Sequence, residues 1–224
     1  MAEFDREIGC VLFDLDGTLI DTIGLIRESM RYATGAVLGS PLPDEVLMCN
    51  VGVPLAVQMR EFSEEHAEEL LRVYREHNDR VHDVLVREYP GVEPALERIA
   101  AAGVPMAIVT SKMRRVAMRG LERFSLDRFF DVIVGADDVE IHKPDPFPLV
   151  HTARLMGAEP AACAYVGDSP HDMSAASAAG MLAVGATWGV SSPERLREAG
   201  AHVEADSMEE VASLFVVHGK HTGK

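Results

Sequence analysis

Positively charged residues, and lysine above all, are scarce in this 224-residue chain. Its 36 acidic residues outnumber 21 basic ones, which gives a formal net charge of −15 at pH 7. A surface this acidic repels nucleic acids and anionic membranes, so we expect neither as a partner. Four of the basic residues are lysines, and two of these, Lys220 and Lys224, fall in a polar tail at 218–224 that we expect to be flexible.

Cysteines are also few, and no two of them are closely spaced. Cys10, Cys49 and Cys163 form neither a C-x-x-C pair nor a zinc-ligand spacing, so we expect buried free thiols in a reducing compartment. The N-terminus lacks the basic and apolar pattern of a secretory signal, and no apolar run is long enough to span a bilayer. The sequence therefore predicts a cytoplasmic protein.

Several common catalytic motifs are missing. The chain has no G-x-x-x-x-G-K-[ST] loop, no G-x-S-x-G turn and no H-E-x-x-H sequence. These absences exclude the enzyme classes that those motifs define, namely P-loop nucleotide hydrolases, nucleophile-elbow serine hydrolases and H-E-x-x-H zinc peptidases. With 47% hydrophobic and 25% charged residues, the chain has an ordinary globular composition. Its length suits one large domain or one domain with a smaller insert.

Short apolar runs alternate with helical patterns along most of the chain. The first run spans 8–13, and the second to fifth span 106–110, 132–134, 164–167 and 181–184. Strands that alternate with helices predict an α/β fold with a doubly wound parallel sheet. Right-handed crossovers place the carboxyl ends of all the strands at one edge. The strand order 5-4-1-2-3 then brings the ends of the first, second and fourth strands together.

Residues 22–88 interrupt this alternation. They contain no strand-like run, and the apolar residues at 23, 26, 30, 33 and 37 have helical spacing. We therefore predict an inserted α-helical cap at 22–88. The α/β core would consist of residues 1–21 and 89–217, with hinges where the chain enters and leaves the cap.

Polar clusters follow the ends of the predicted strands. They are Asp14-Leu15-Asp16-Gly17-Thr18, Thr110-Ser111-Lys112, Lys143-Pro144-Asp145-Pro146 and Gly167-Asp168-Ser169-Pro170-His171-Asp172. Each cluster alone is explained by a turn or a helix N-cap. At the edge where a parallel sheet forms its ligand crevice, however, they would place carboxylates, a hydroxyl and an ammonium group around one point. This combination predicts a site for phosphate and for a hard, oxygen-preferring cation such as Mg²⁺.

With these four motifs in this order over residues 7–217, the chain resembles the haloacid dehalogenase-like superfamily of hydrolases. The resemblance is to the branch with a helical cap inserted after the first motif. The stretch from Val109 to Pro146 is similar to the pyrophosphatase and phosphoglycolate phosphatase subgroup. The resemblance implies a Mg²⁺-dependent phosphatase that works through an aspartyl-phosphate.

The resemblance also implies catalytic roles for individual residues. Asp14 attacks phosphorus, and Asp16 protonates the leaving oxygen and then removes a proton from the attacking water. Thr110 hydrogen-bonds the transferring phosphoryl group, and Lys143 balances the charge of nucleophile and phosphate. Lys143 and Lys112 are the lysines outside the tail, and a lysine in a chain that otherwise uses arginine indicates a need for a compact point charge.

Metal contacts are implied in the same way. The Asp14 carboxylate and the Asp16 backbone carbonyl bind Mg²⁺, together with Asp168. Asp172 orients the surroundings of the metal through a water molecule or a hydrogen bond.

The substrate contacts are less completely defined. The resemblance implies that backbone amides near Gly17 and Ser111 contact the phosphate. Gly52 occupies the position of the family's specificity loop in the cap, where it either brings backbone amides to the substrate or forms an ordinary turn. Lys112 stays open between a substrate contact and a surface charge. Three cap arginines stay open between anion contacts and solvated helix charges: Arg27, Arg31 and Arg60.

A small phosphorylated metabolite is the implied substrate, and we expect a monomer or a homodimer. Hydrolysis of a phosphomonoester such as 2-phosphoglycolate comes first. Inorganic pyrophosphate hydrolysis, a sugar-phosphate mutase reaction and a non-catalytic binding role are the alternatives. Asp16 disfavours carbon–halogen cleavage, because the dehalogenases lack this second acid. The absence of lysine from 22–88 disfavours the Schiff-base chemistry of phosphonate-cleaving relatives.

Overall fold

The computed structural model describes residues 8–216, so the tail predicted at 218–224 lies outside the described residues. Within that range the strands are β1 (Cys10–Phe13), β2 (Ile20–Asp21), β3 (Arg87–Glu88), β4 (Met106–Val109), β5 (Val132–Val134), β6 (Cys163–Gly167), β7 (Leu182–Ala186) and β8 (Val203–Ala205). The helices are α1 (Ile23–Leu38), α2 (Asp44–Met48), α3 (Leu55–Phe62), α4 (Ala67–Leu85), α5 (Val92–Ala101), α6 (Arg114–Arg123), α7 (Phe147–Leu155), α8 (Pro170–Ala178), α9 (Pro193–Glu198) and α10 (Met208–Val216), with short 3-10 helices at Asp127–Phe129 and Pro160–Ala162.

Six of these strands form one parallel sheet in the order β5-β4-β1-β6-β7-β8. The five predicted strands correspond to β7-β6-β1-β4-β5, so the predicted order 5-4-1-2-3 is confirmed. The prediction missed β8, which pairs with β7 at the edge of the sheet. This strand has three residues with Glu204 in the middle, so it presents no apolar run in the sequence.

Helices cover both faces of the sheet, as the doubly wound prediction requires. Along β1, Val11 and Phe13 share a hydrophobic core with residues of α5, α6 and α10. The alternate residues, Cys10 and Leu12, share a second core with residues of α7, α8 and α9. All four residues of β1 are buried, which explains why the sequence of this strand is continuously apolar.

Helices α1 to α4 lie between β2 and β3 in the chain and enclose a hydrophobic core of their own, formed by Ile26, Met30, Ala33, Leu47, Met59, Leu70 and Tyr74. β2 and β3 pair in antiparallel fashion, so the chain segments that enter and leave these helices run side by side. The division into core and cap at residues 22 and 88 stays a prediction. We call α1 to α4 the cap helices.

The cysteines differ from the expectation at one position. All three are free, and Cys10 and Cys163 are buried register partners on β1 and β6. Cys49 is exposed, so the expectation of a buried thiol is wrong there. It follows the five-residue helix α2, in which Leu47 is the buried residue, and therefore lies on the outer side of the cap. None of the helices in residues 8–216 combines the length and apolar character needed to cross a bilayer.

Candidate active site

The carboxyl edge of the three central strands brings the predicted site residues together. Phe13 of β1 pairs with Ile108 of β4 on one side and with Val166 of β6 on the other, so the three strands end at the same level. The backbone N–H of Asp14 donates to the carbonyl oxygen of Val166 at 2.8 Å, which extends this pairing by one residue. Asp14 and Asp168 therefore emerge from neighbouring strands, and both are buried.

Three buried carboxylates form the centre of the site. Asp14, Asp168 and Asp172 each place a carboxylate oxygen within 4.8 Å of the other two. Burial of several carboxylates together is unfavourable unless positive charge compensates for it. Because hard divalent cations prefer carboxylate oxygens, these residues have the donor types and the proximity to hold one.

Lys143 supplies one positive charge to this cluster and is itself buried. Its Nζ lies 3.1 Å from Asp14 Oδ1, 2.6 Å from Asp172 Oδ1 and 2.8 Å from Tyr165 Oη. The Tyr165 hydroxyl donates in turn to the carbonyl oxygen of Val109 at 2.8 Å. Sequence reasoning missed Tyr165. A tyrosine inside a fully buried strand was the available signal, since its hydroxyl needs a buried partner.

Asp168 is held from two sides. Thr18 Oγ1 donates to its Oδ1 at 3.2 Å, and the backbone N–H of Val190 donates to its Oδ2 at 2.8 Å. A Cβ on Gly17 would collide with Asp168 Oδ2, and Gly17 has a φ of +79°, so both space and backbone conformation require glycine. Thr18 belongs to the first motif but was assigned no role. The contact from Val190 is made by the backbone and leaves no signal in the sequence.

Asp172 is fixed at the N-terminus of α8 by a capping box. Its Oδ2 accepts hydrogen bonds from the backbone N–H of Ser169 at 2.9 Å and from Ser169 Oγ at 2.7 Å. Its Oδ1 contacts Lys143 and Tyr165. Within residues 8–216, each oxygen of Asp172 has two protein contacts, whereas each oxygen of Asp168 has one, which favours an orienting role for Asp172 over direct metal binding.

The pKa shifts reflect a shortage of positive charge. Burial raises the pKa of Asp14 to about 7; Lys143 opposes this shift, while Asp172 and Asp16 add to it. Burial, followed by the charges of Asp172 and Asp14, also raises the pKa of Asp168 well above its ordinary value. Burial acts in the same direction on Asp172, but Lys143 and hydrogen bonds outweigh it and lower the pKa of that carboxyl. A bound divalent cation would supply the missing charge.

Asp16 lies outside the cluster of three carboxylates. Its Oδ1 accepts a hydrogen bond from Thr22 Oγ1 at 2.6 Å and forms an ion pair with Lys112 Nζ. The Asp16 and Lys112 side chains are only 16% and 15% exposed. The Lys112 side chain therefore lies against Asp16 and is largely buried, while its contact with a substrate stays a prediction. Thr22 was not predicted, because it stands at the entrance to the cap and outside the motifs.

Thr110, Ser111 and Gly52 line the same region. Thr110 is buried, and its Oγ1 accepts a hydrogen bond from the backbone N–H of Lys112 at 3.2 Å. Ser111 Oγ donates to the carbonyl oxygen of Gly52 at 2.5 Å, so a cap loop contacts the core here. Gly52 has a φ of +113°, and a Cβ on it would lie 2.9 Å from Ser169 Oγ. The predicted cap glycine thus lies directly against the loops of the site.

The three cap arginines do not reach the carboxylates. Arg27 and Arg31 both pair with Asp44 on the surface of the cap, and Arg60 is exposed. Within residues 8–216, lysines rather than arginines form the ion pairs with the site's carboxylates. The structure thus brings the predicted core residues together, while their catalytic roles stay predictions.

Comparison with known proteins agrees with this geometry. The family model described as haloacid dehalogenase-like hydrolase matches residues 11–186, which include every carboxylate and lysine of the site. The chain belongs to this family. As a haloacid dehalogenase-like hydrolase of phosphatase type, it carries the expected buried aspartate cluster at the carboxyl edge of its sheet.

Named relatives match nearly the whole chain. Pyrophosphatase PpaX of Halalkalibacterium halodurans is 36% identical over 215 residues, which are 96% of this chain and 100% of that protein. A solved structure described as a predicted phosphatase from Clostridium acetobutylicum has a TM-score of 0.85 at 26% identity and covers 95% of this chain and 100% of its own. Another, described as a predicted phosphoglycolate phosphatase from Haemophilus somnus, has a TM-score of 0.81 at 25% identity, with coverages of 92% and 97%.

Proposed function

We propose that this protein is a Mg²⁺-dependent inorganic pyrophosphatase that works through an aspartyl-phosphate on Asp14. The observation that carries the reaction type is the 3.1 Å contact between the buried Asp14 carboxylate and the Lys143 ammonium group, within the cluster of three carboxylates. A cation beside the nucleophile allows an anion to approach an anionic phosphoryl group, and an ionised carboxylate needs no general base. The name of the relative PpaX supports pyrophosphate as the substrate.

In the first step, an oxygen of the Asp14 carboxylate attacks one phosphorus of pyrophosphate. The bond from that phosphorus to the bridging oxygen breaks, and its electron pair stays on the bridging oxygen, which leaves as part of inorganic phosphate. Asp16, which must be protonated for this step, donates its proton to the leaving oxygen. Lys143 and the Thr110 hydroxyl stabilise the negative charge on the oxygens of the transferring group.

In the second step, water attacks the phosphorus of the aspartyl-phosphate. Asp16, now ionised, accepts a proton from the water, and the bond between phosphorus and Asp14 breaks with its electron pair returning to the carboxylate. Pyrophosphate and water thus give two molecules of phosphate and the original protein. The two aspartates divide the work, since one is the nucleophile and the other transfers protons.

Mg²⁺ would be held by the Asp14 carboxylate, the Asp16 backbone carbonyl and Asp168. When bound, it supplies the positive charge that lowers the repulsion between the nucleophile and the phosphoryl group. The raised pKa values of Asp14 and Asp168 support a cation here, because positive charge beside them favours the ionised carboxylates that the reaction needs. Asp172 positions Lys143 rather than the substrate.

Hydrolysis of a small phosphomonoester is the second candidate. The sequence placed it first, and the structural neighbour described as a predicted phosphoglycolate phosphatase supports it at 25% identity. The relative named pyrophosphatase is more similar in sequence, at 36% identity, and this supports pyrophosphate as the first candidate. Asp14, Lys143 and Thr110 would serve both substrates, because they act on the transferring phosphoryl group that the two have in common.

A substrate panel tests the proposal. Phosphate release from pyrophosphate, 2-phosphoglycolate and a set of sugar phosphates is measured with and without Mg²⁺. We expect kcat/KM for pyrophosphate to exceed that for every monoester by at least about 10-fold, and activity to require Mg²⁺. A monoester preferred by that margin would replace pyrophosphate as the substrate. Isomerisation of a sugar phosphate without phosphate release would point to a mutase, and a lack of any turnover to a binding protein.

We further propose that the protein works in the cytoplasm on a small phosphorylated metabolite. The free state of its cysteines suits a reducing compartment. The net charge of −15 disfavours nucleic acids as partners. The expectation of a monomer or a homodimer stays a prediction, which sedimentation velocity would decide.

A further inference from the structure

The two lysines of the site are engaged very differently. Lys143 is 3% exposed and shares its ammonium group among three acceptors. Because a lysine has three N–H donors, all those of Lys143 are engaged, and it acts on an added anion through its charge alone. Within the described range 8–216, Lys112 Nζ has one acceptor, the Oδ1 atom of Asp16. Lys112 can therefore contact an added anion without releasing its present partner.

The backbone of Lys112 is held firmly in place. Its N–H donates to Thr110 Oγ1 at 3.2 Å, and its carbonyl oxygen accepts from the N–H of Ala136 at 2.9 Å. A Cβ on Gly135 would lie 2.9 Å from the Lys112 carbonyl oxygen and 2.5 Å from the backbone nitrogen of Arg114. The loop after β4 is thus packed tightly against the loop after β5, and this packing fixes the point from which the Lys112 side chain extends.

The partner of Lys112 shows on which side of the substrate the ammonium group lies. Asp16 is the residue that donates a proton to the leaving oxygen in the proposed reaction, so the leaving group must approach Asp16. A cation in contact with Asp16 therefore lies beside the leaving group, whereas Lys143 contacts Asp14 and lies beside the transferring phosphoryl group. Lys112 would therefore act on the leaving group and Lys143 on the transferring phosphoryl group.

A cation beside the leaving group would favour substrates whose leaving group is negatively charged. A sugar phosphate releases an alcohol that is neutral once it is protonated, whereas 2-phosphoglycolate releases glycolate, which keeps a carboxylate charge. Pyrophosphate releases inorganic phosphate, which remains an anion after one protonation. Arg27 and Arg31 are occupied by Asp44 on the cap surface, so they do not provide a counter-charge for this anion. The Lys112 ammonium group lies beside Asp16, and a contact between it and a phosphate would be a charge-assisted hydrogen bond.

We propose that Lys112 binds the leaving phosphate of pyrophosphate and so favours substrates with an anionic leaving group. This inference rests on the proposed pyrophosphatase function. As the bridging P–O bond breaks, its electron pair goes to the leaving phosphate, the proton comes from Asp16, and the Lys112 ammonium group balances the remaining charge. Lys112 loses no proton in the reaction.

A pair of charge-removing variants tests this role. Lys112→Met removes the ammonium group, and Arg115→Met removes one positive charge from an exposed position nearby on α6. Each protein is assayed with pyrophosphate and with glucose 6-phosphate, whose leaving alcohol needs the proton from Asp16 but is uncharged once it is protonated. We expect Lys112→Met to lower kcat/KM for pyrophosphate by about 10- to 100-fold and that for glucose 6-phosphate by less than about 3-fold. Arg115→Met should leave both values unchanged.

A binding measurement provides a readout independent of turnover. In an Asp14→Asn background with Mg²⁺ present, titration calorimetry should show that Lys112→Met weakens pyrophosphate binding by about 10-fold. Binding of glucose 6-phosphate, whose alcohol portion carries no charge, should change little. If the methionine variant unfolds at a lower temperature than the parent, Lys112→Gln is used instead, since its amide can still donate to Asp16.

The outcomes separate this inference from the function on which it rests. Equal losses with both substrates would mean that Lys112 acts only by holding Asp16, and would overturn the inference. Unchanged pyrophosphate turnover in Lys112→Met would overturn it as well. A wild-type protein that hydrolyses monoesters but not pyrophosphate would instead refute the proposed function, and the inference with it, before any variant is compared.

Discussion

The core and the cap helices each contain a cluster of buried polar side chains. In the core, side chains from separate loops meet around Asp14, whereas in the cap the cluster lies between the two helices α1 and α4. Ser29 Oγ of α1 accepts a hydrogen bond from Asn78 Nδ2 of α4 at 3.2 Å and lies 3.3 Å from His77 Nδ1. Burial lowers the pKa of His77, so this cap cluster is neutral at pH 7. It joins two packed helices and contains no excess charge.

The core cluster has the opposite character. Among residues 8–216, Lys143 supplies the buried ammonium group beside Asp14, Asp168 and Asp172, and it pairs with the first and the last of these. A polar cluster that serves packing can be satisfied internally, and the one in the cap is. A cluster that binds charged ligands keeps a charge imbalance that the ligand removes. The two clusters therefore differ in what their loss should do, and the substitutions below test this difference.

The largest effect on activity is expected for Asp14→Asn, which removes the nucleophile and keeps the shape of the side chain. Turnover should fall by about 10⁴-fold or more. The fold should persist, because Lys143 retains Asp172 and Tyr165 as partners. Phosphate-release assays and circular dichroism melting measure the two properties. Near wild-type rates in this variant would refute the assignment of the nucleophile.

Lys143→Met should combine a large loss of activity with a large loss of stability. Removal of one partner of a buried ion pair leaves uncompensated charge, and this costs about 3–5 kcal/mol. Urea unfolding at pH 7 should show this difference from wild type. Lys112→Met is the matched control, because Lys112 is 15% exposed and its loss leaves Asp16 partly hydrated. Similar stability losses in the two variants would contradict the contrast between a fully buried lysine with three partners and a partly exposed lysine with one.

Gly52→Ala should raise KM. Its effect on global stability should be limited to the cost of placing alanine at a positive φ. The new Cβ would meet Ser169 Oγ at 2.9 Å, and the φ of +113° disfavours alanine, so the loop must shift at the site. We expect KM to rise by about 3- to 10-fold, which is about 1 kcal/mol.

A second cap glycine provides the control for this prediction. Gly39 has a φ of +83°, and a Cβ added there would have no neighbouring atoms within 4 Å. Gly39→Ala therefore carries the backbone cost without a clash at the site, and its KM should match wild type. Equal KM values in both variants would remove Gly52 from the substrate contacts.

The smallest effect is expected in the cap cluster. Ser29→Ala removes the hydroxyl that contacts both His77 and Asn78, and the free energy of unfolding should fall by about 1 kcal/mol. Its kcat/KM should stay within about 2-fold of wild type. Ser213→Ala, at an exposed position on α10, controls for loss of a helix serine. A 100-fold loss of kcat/KM in Ser29→Ala would mean that the cap cluster also serves catalysis.

Several features of the fold followed from local sequence. Continuous apolar runs identified β1, β4, β5, β6 and β7, because strands buried on both faces carry little else. Their order followed from the need to bring the polar strand ends together. Strand β8 was not predicted, because a three-residue strand at the edge of a sheet needs no apolar run. The exposed Cys49 was misjudged because burial there depends on how α2 lies on the cap.

The family, the strand order and the candidate site residues could all be inferred from the amino-acid sequence, because these depend on apolar runs and motif spacing. The groups that those residues contact are determined by the tertiary structure. Tyr165 and Val190 reach the site through contacts that no motif encodes. The partner of Lys112 lies 96 residues away in the chain, so its place beside Asp16 depends on how tightly the loops after β1 and β4 are packed together.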